Sequence, residues 1–157
     1  MVEVSAPVAH ITSGVRRVGL VGCVKGKAPS RQAAKDLYRS TLFAHRRAYV
    51  ETYCGSWWIL SAKYGLVHPD DLIDPYDFSL NSVRTADRRA WSAHVLASLE
   101  DRAQLHVGDI VEIHAGSNYR DFGLMEGLQA KGLTVEVPTK GLGIGFQFQF
   151  YKQSSSQ

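Results

Sequence analysis

Four carboxylates, Asp70, Asp71, Asp74 and Asp77, fall within the stretch Leu66–Val83, which also holds Pro69 and Pro75. Irregular segments of that length inside a compact domain tend to be functional. Within it, Asp74-Pro75-Tyr76-Asp77 sets an acid beside a rigid turn and an aromatic ring. Hydrolysis of an N-glycosidic bond needs one such carboxylate, to orient water and to stabilise the positive charge that develops on the sugar. Asp77 is the candidate for that task. The structural alternative is that Asp70 and Asp71 close a turn and Asp77 caps a helix, as short acidic side chains often do. Cys23, beside Lys25, is either a thiolate favoured by the nearby cation or a small buried cysteine closing a tight loop. The six histidines show no His-x-x-x-His spacing and no His/Cys cluster, so neither a metal nor another cofactor is expected. His45, His94 and His106 read as structural residues. Gly141-Leu142-Gly143-Ile144-Gly145 lacks the Gly-x-Gly-x-x-Gly order, and no Gly-x-x-x-x-Gly-Lys-Ser/Thr occurs, which disfavours dinucleotide and ATP chemistry.

The elements that must position these groups follow from the periodicity. Arg17–Val24 is a short Val- and Gly-rich run that reads as a buried strand opening into the basic loop 25–30. Ser40 can cap a helix reaching Glu51, with Arg46 on its outer side and Gly55 stopping it. Trp57–Ser61 reads as a second strand. Thr85 or Ser82 can cap a helix whose stripe is Trp91, Val95 and Leu99, with Asp87 favouring the first turn and Trp91 belonging to the core. Asp109–Ala115 is a third strand, a helix runs from Gly116 to Lys131-Gly132, and Leu133–Val137 is a fourth strand. The alternation of Phe146, Phe148 and Phe150 favours a last strand, with a helix packing those rings as the alternative. Strands alternating with helices imply an α/β fold of three layers, α/β/α, around a mainly parallel sheet of four or five strands.

Ligands in such sheets bind outside the carboxyl ends of the strands. The loops there supply Cys23, Lys25 and Lys27; Ser61, Lys63, Tyr64 and Gly65; His114, Gly116, Ser117, Tyr119 and Arg120; and Lys140, Gly141 and Gly143. Cations, rings and permissive glycines together suit phosphate held by charge and backbone amides, with a base stacked on an aromatic face. Charge points the same way. The net formal charge is +3, but residues 16–50 carry nine basic side chains, among them Arg46 and Arg47, against the single acid Asp36, a net of +8. The remainder therefore totals −5, a polarity expected of a phosphate or nucleic-acid binder, although a solvated helix face gives the same pattern.

The chain has 157 residues, 45% of them hydrophobic and 21% charged, enough for one core and too apolar for disorder. One domain over residues 1–152 is expected, with a mobile polar tail at 153–157. No apolar run is long enough to cross a bilayer, residues 1–10 lack the order of a signal peptide, and the two cysteines suit a reducing compartment, so a cytoplasmic location is expected.

Several motifs together resemble a known family. Ile59-Leu60-Ser61-Ala62-Lys63-Tyr64-Gly65-Leu66-Val67, Ile73-Asp74-Pro75-Tyr76-Asp77 with Leu80-Asn81, Cys23 with Lys25 and Lys27, Asp36-Leu37-Tyr38 with Leu42-Phe43, His114-Ala115-Gly116-x-x-Tyr119-Arg120 and the glycines at 141–145 are similar to a bacterial family known only as a domain of unknown function. The likeness runs from about Arg17 to Tyr151. More distantly the chain resembles the YaaA peroxide-stress proteins, which bind DNA, and a domain of archaeal tRNA-guanine transglycosylases that is similar in fold to uracil-DNA glycosylases. In the family pattern lysines follow the cysteine closely, whereas here Val24 and Gly26 intervene. Asp74-Pro75-Tyr76 resembles the glycosylase water-activating motif in letters, yet follows the second strand and not the first.

Some small relatives are DNA glycosylases that attack modified phage bases, so the resemblance implies a monofunctional, metal-free enzyme of antiviral defence. It would flip a modified base, such as a hypermodified cytosine, and leave an abasic site. Asp77, Lys63 and Tyr119 would form the catalytic set. Tyr64, Tyr76 or Tyr119 would stack the base, and Lys63 and Arg120 would hold flanking phosphates. A non-catalytic DNA-binding protein and a hydrolase of free nucleotides are the rival readings; the basic segment weighs against the last. The oligomeric state is not specified by the sequence.

Overall fold

The computed structural model describes residues 15–155; the reading of the N-terminal ten residues lies outside them. Among the described residues, seven strands and six helices follow one another: β1 (Arg17–Gly22), β2 (Gln32–Ala33), α1 (Ala34–Leu37), α2 (Thr41–Tyr53), β3 (Ser56–Ser61), β4 (Gly65–Val67), β5 (Leu72–Ile73), then, after a short 3-10 turn at Leu80–Ser82, α3 (Thr85–Arg102), β6 (Ile110–His114), α4 (Ser117–Arg120), α5 (Leu124–Ala130), β7 (Thr134–Glu136) and α6 (Ile144–Ser155). The main sheet has the order β4-β3-β1-β6-β7. β1 lies parallel to β3, with Val18 opposite Ser56, and parallel to β6, with Arg17 opposite Ile110. β7 adds in parallel beyond β6, and β4 turns back antiparallel on β3. β2 and β5 form a small antiparallel pair.

Both faces of the sheet are covered. Val18, Leu20, Trp58, Leu60, Val111 and Ile113 point into one core, with Trp91, Val95 and Leu99 of α3 and Leu124 and Leu128 of α5. Val21 and Ile59 point the other way, toward Phe43 and Val50 of α2 and Leu37 of α1, and α6 packs on α2. The result is the expected three-layer α/β/α fold with a mostly parallel five-stranded sheet. From β1 the chain crosses to β3 on one side and later returns to β6 on the other. The switch point, where open α/β sheets leave a crevice, is therefore at the carboxyl ends of β1 and β6.

Local chemistry explains most boundaries. Ser40 caps α2, its Oγ accepting the Phe43 N–H at 3.0 Å. α3 starts differently from expectation: Arg84 is its cap residue and contributes no side-chain bond, so neither Ser82 nor Thr85 caps it, although Asp87 does lie in the first turn. The helix expected from Gly116 to Lys131 is two, broken at Gly123, which adopts φ 123°. The Phe-rich segment is a helix and not a strand. Phe148 meets His45 and Phe150 meets Tyr49, so the rings lie on α2, while Phe146 stays exposed. That helix continues to Ser155, with the Ser154 carbonyl accepting from the Tyr53 hydroxyl at 2.8 Å, so the tail expected to be mobile is ordered there. No helix among the described residues is long and apolar enough to cross a membrane.

Candidate active site

A cleft of about 670 Å³ opens at the switch point, lined by Cys23, Lys25 and Lys27 after β1, by Asp77, Phe78, Ser79 and Asn81 of the long loop, and by Tyr119 after β6. Its size suits a nucleotide-sized ligand. Asp77 and Phe78 also line a second depression of about 440 Å³, shared with Lys63, Pro75 and Tyr76. The long loop is pinned over the strand ends from below: Arg88 of α3 donates to the carbonyls of Leu80 and Asn81, and the Leu80 N–H donates to the Tyr119 hydroxyl.

The four aspartates separate by what they do. Asp70 pairs with Lys35 at 2.8 Å and Asp74 with Arg31 at 3.4 Å. Asp71 accepts the His68 N–H at 2.9 Å and pairs with Arg102, the turn-closing role allowed on the sequence. Asp77 caps nothing, since Ser79 caps the short turn that follows. Its exposed carboxylate makes no ion pair or hydrogen bond among the described residues and faces the cleft that holds Lys27.

Beneath the loop lies a chain of hydroxyls. The Tyr76 hydroxyl is 2.8 Å from that of Tyr38 and 2.9 Å from Ser61 Oγ, which in turn accepts the Tyr64 N–H at 3.0 Å. Burial pushes the Tyr38 and Tyr76 phenols well above their ordinary values, so both stay protonated and cannot serve as bases at neutral pH. The Tyr64 ring packs edge-on to Tyr76 at 5.5 Å. Ser61 and Tyr64 thus hold Tyr76 in place.

Several expected site residues have other roles. Gly65 has φ 77°, and a Cβ there would come within 2.7 Å of the His94 ring, so it serves the β3–β4 turn. His114 is fully buried on the opposite face, its Nε2 2.9 Å from Glu112 and its Nδ1 2.8 Å from the Tyr151 hydroxyl. Arg46, expected on the outside of α2, is 7% exposed, with Gln147 Oε1 of α6 at 3.4 Å and its Nε without a partner among the described residues. Arg120 leans on Asp121 with only 12% of its side chain exposed. Gly116, Ser117, Lys140, Gly141 and Gly143 are exposed but do not line the cleft.

Tyr119 is the central correction. Its ring is 7% exposed and packs edge-on against Trp91 at 5.4 Å, so it belongs to the core and offers no face to a flipped base. Its hydroxyl accepts from the Leu80 N–H and lies 3.6 Å from the Cys23 sulfur; burial raises its pKa to about 12. Tyr119→Phe keeps the ring and orphans the buried Leu80 N–H, so a loss of about 1–3 kcal/mol is expected in denaturant unfolding. The open aromatic face is Phe78, 46% exposed, which sequence reading missed. Its only signal was adjacency to Asp77.

The basic segment is also less open than its +8 suggests. Arg16 pairs with Asp109, Arg17 with Glu112 and Glu136, Arg31 with Asp74, Lys35 with Asp70, and Arg47 with Asp36 and Glu51, while Arg46 is interior. Three cations remain without a carboxylate partner among the described residues: Arg39, which is exposed and donates to the Asp36 carbonyl and Gln32 Oε1, and Lys25 and Lys27, both at the cleft.

The Arg17–Glu112–His114–Tyr151 network should show in the pH dependence of stability. Burial lowers the His114 pKa below 6.5, outweighing the pull of Glu112. The unfolded chain then takes up the proton first, so this contribution is complete above pH 6.5 and is lost as pH falls below it. For Glu112, burial raises the pKa, but hydrogen bonds from His114 and Arg17 outweigh it and hold it below 4.5, which adds a loss of the same sign under more acid conditions. Denaturant titrations from pH 8 to pH 5 are expected to show falling stability, and His114→Gln to flatten the slope.

Among the described residues no group of three or more His, Cys, Asp or Glu side chains is placed to hold a metal ion. A family profile described as a family of unknown function, DUF6884, matches residues 18–153. The chain belongs to that family. A similar protein is the "Uncharacterized protein YfjM" of Bacillus subtilis (strain 168), 30% identical over 104 residues, which cover 58% of this chain and 69% of that one. No solved structure matches the chain.

Proposed function

We propose that this DUF6884 protein cleaves the N-glycosidic bond of a modified base in DNA, with Asp77 as the carboxylate that orients water and stabilises the developing oxocarbenium charge. One observation carries this reading: the single unengaged aspartate of the long loop faces the switch-point cleft together with Lys25, Lys27 and the open ring of Phe78. Lysine amines there complement phosphate, Phe78 offers a stacking face, and the protonated tyrosines leave Asp77 as the base in reach. The resemblance to DNA glycosylases and to YaaA enters as part of this reading. Antiviral defence is the role it implies.

The neutralised basic segment favours a second reading, hydrolysis of free nucleotides, because few cations are left to track a duplex backbone. Both readings use the same bond and the same carboxylate. Incubation with duplexes carrying a panel of modified bases, in parallel with the matching free deoxynucleotides, separates them. Free base with abasic sites in the duplex is the expected result. Release only from the nucleotides selects the second reading, and release from neither refutes both.

A further inference from the structure

Within the basic segment, Lys27 is the cation seated on aromatic rings. Its amine lies 4.3 Å from the centre of the Tyr76 ring and 5.8 Å from that of Tyr38, donates to the Lys25 carbonyl at 3.1 Å, and has no carboxylate within ion-pairing distance among the described residues. The backbone that carries it is fixed by a bridge from Lys27 to Tyr38, with the Ala28 N–H donating to Leu37 and the Arg39 N–H donating to Gly26, each at 2.8 Å. Gly26 permits this approach, since a Cβ there would sit 2.4 Å from the Arg39 carbonyl. The Tyr76 ring beneath the amine is itself held by Tyr38 and Ser61. Lys27 is therefore a positioned amine on a rigid support, pointing into the cleft that holds Asp77. Burial lowers its pKa, partly offset by Cys23 and Asp77, which enlarges the neutral, nucleophilic fraction.

We infer that Lys27 captures the aldehyde form of an abasic deoxyribose in this cleft, so that a lyase activity accompanies base release. The inference rests on the proposed N-glycosidase reading for the origin of the abasic sugar. It departs from the monofunctional enzyme expected on the sequence. In the capture step the neutral Lys27 nitrogen adds to C1′ of the open-chain sugar, and the carbinolamine takes up one proton from solvent and loses one water to give an iminium. The iminium acidifies C2′; the proton there passes to a base, for which the Asp77 carboxylate is in the same cleft. The electron pair of that C–H bond becomes the C2′–C3′ double bond as the C3′–O bond breaks and the 3′ phosphate leaves with its pair. Water then hydrolyses the imine, restoring the amine and releasing the unsaturated aldehyde.

The test uses a duplex whose single abasic site is made beforehand, so it does not depend on base release by this protein. The full chain is mixed with that duplex and sodium borohydride at neutral pH. The covalent adduct is measured by denaturing gel and located by peptide mass spectrometry. A borohydride-dependent adduct on Lys27 is expected, reduced at least tenfold in both Lys27→Arg and Lys27→Gln and retained in Lys131→Gln, whose lysine pairs with Glu100 outside the cleft, with circular dichroism reporting folding of each variant. Absence of an adduct, or an adduct on another amine, overturns the inference. Base release without trapping refutes the lyase alone. Trapping on Lys27 with no base released from any modified duplex supports the lyase and refutes the glycosidase.

Discussion

Asp77→Asn is expected to lower base release by at least about 10²-fold, the low end for a positioned acid–base group, with no change in melting temperature. The side chain is exposed and makes no hydrogen bond or ion pair among the described residues, so the amide replaces it without removing a support of the fold. A stability loss would restore the helix-capping role considered on the sequence. Unchanged release in a folded variant would move the chemistry away from this carboxylate. Asp74→Asn is the control: Asp74 pairs with Arg31 at the surface, more than half exposed, and its loss is expected to leave both rate and stability nearly unaltered.

The largest effect on stability is expected at Arg46. Arg46→Glu places a carboxylate in the interior between α2 and α6, against Gln147 and near the Tyr151 hydroxyl. A buried charge without a partner of opposite sign costs about 3–5 kcal/mol, so a fall in melting temperature of roughly ten degrees is expected. Arg47→Glu, one residue on and half-exposed, loses surface pairs with Asp36 and Glu51 and is expected to cost about 1 kcal/mol or less. Calorimetry on the two variants distinguishes a buried from a surface arginine directly. Equal, small shifts would return Arg46 to the outer face that the sequence suggested.

That pair of neighbours shows where sequence reading stops. The cap at Ser40, the apolar run of β1 and the Trp91-Val95-Leu99 stripe are local patterns, and each element they predict is present. Successive helix positions differ by about 100°, so Arg46 and Arg47 must point apart. Which of them is buried depends on α6, about a hundred residues away. The sequence could not settle α6, because Phe146, Phe148 and Phe150 have the period of a strand; tertiary packing on α2 overrides that period. The same dependence hid His114, whose partner Tyr151 comes from α6.

The site was partly readable for a related reason. Strand-end loops are local features, and those after β1 and β6 do meet with the long loop in one cleft. Which side chains turn into it is not local. Gly116, Ser117, Arg120, Lys140, Gly141 and Gly143 share the strand-end position without lining the cleft, and Tyr119 turns its ring into the core. The basic segment misled because its carboxylate partners, such as Asp70, Asp74, Asp109 and Glu112, lie far along the chain.

The assignment of Asp77 as the group that stabilises positive charge on the sugar can be tested without knowing the base. Two duplexes carry, at one position, either a cationic pyrrolidine analogue of the oxocarbenium ion or a neutral tetrahydrofuran of the same shape. The affinities of the protein and of Asp77→Asn for both are measured by fluorescence anisotropy at fixed salt. Transition-state mimics bind about 10²-fold or more tightly than ground-state analogues. A preference of that order for the pyrrolidine, lost in Asp77→Asn, is the expected result. Equal affinity for the two duplexes, or a preference that survives the substitution, would contradict it.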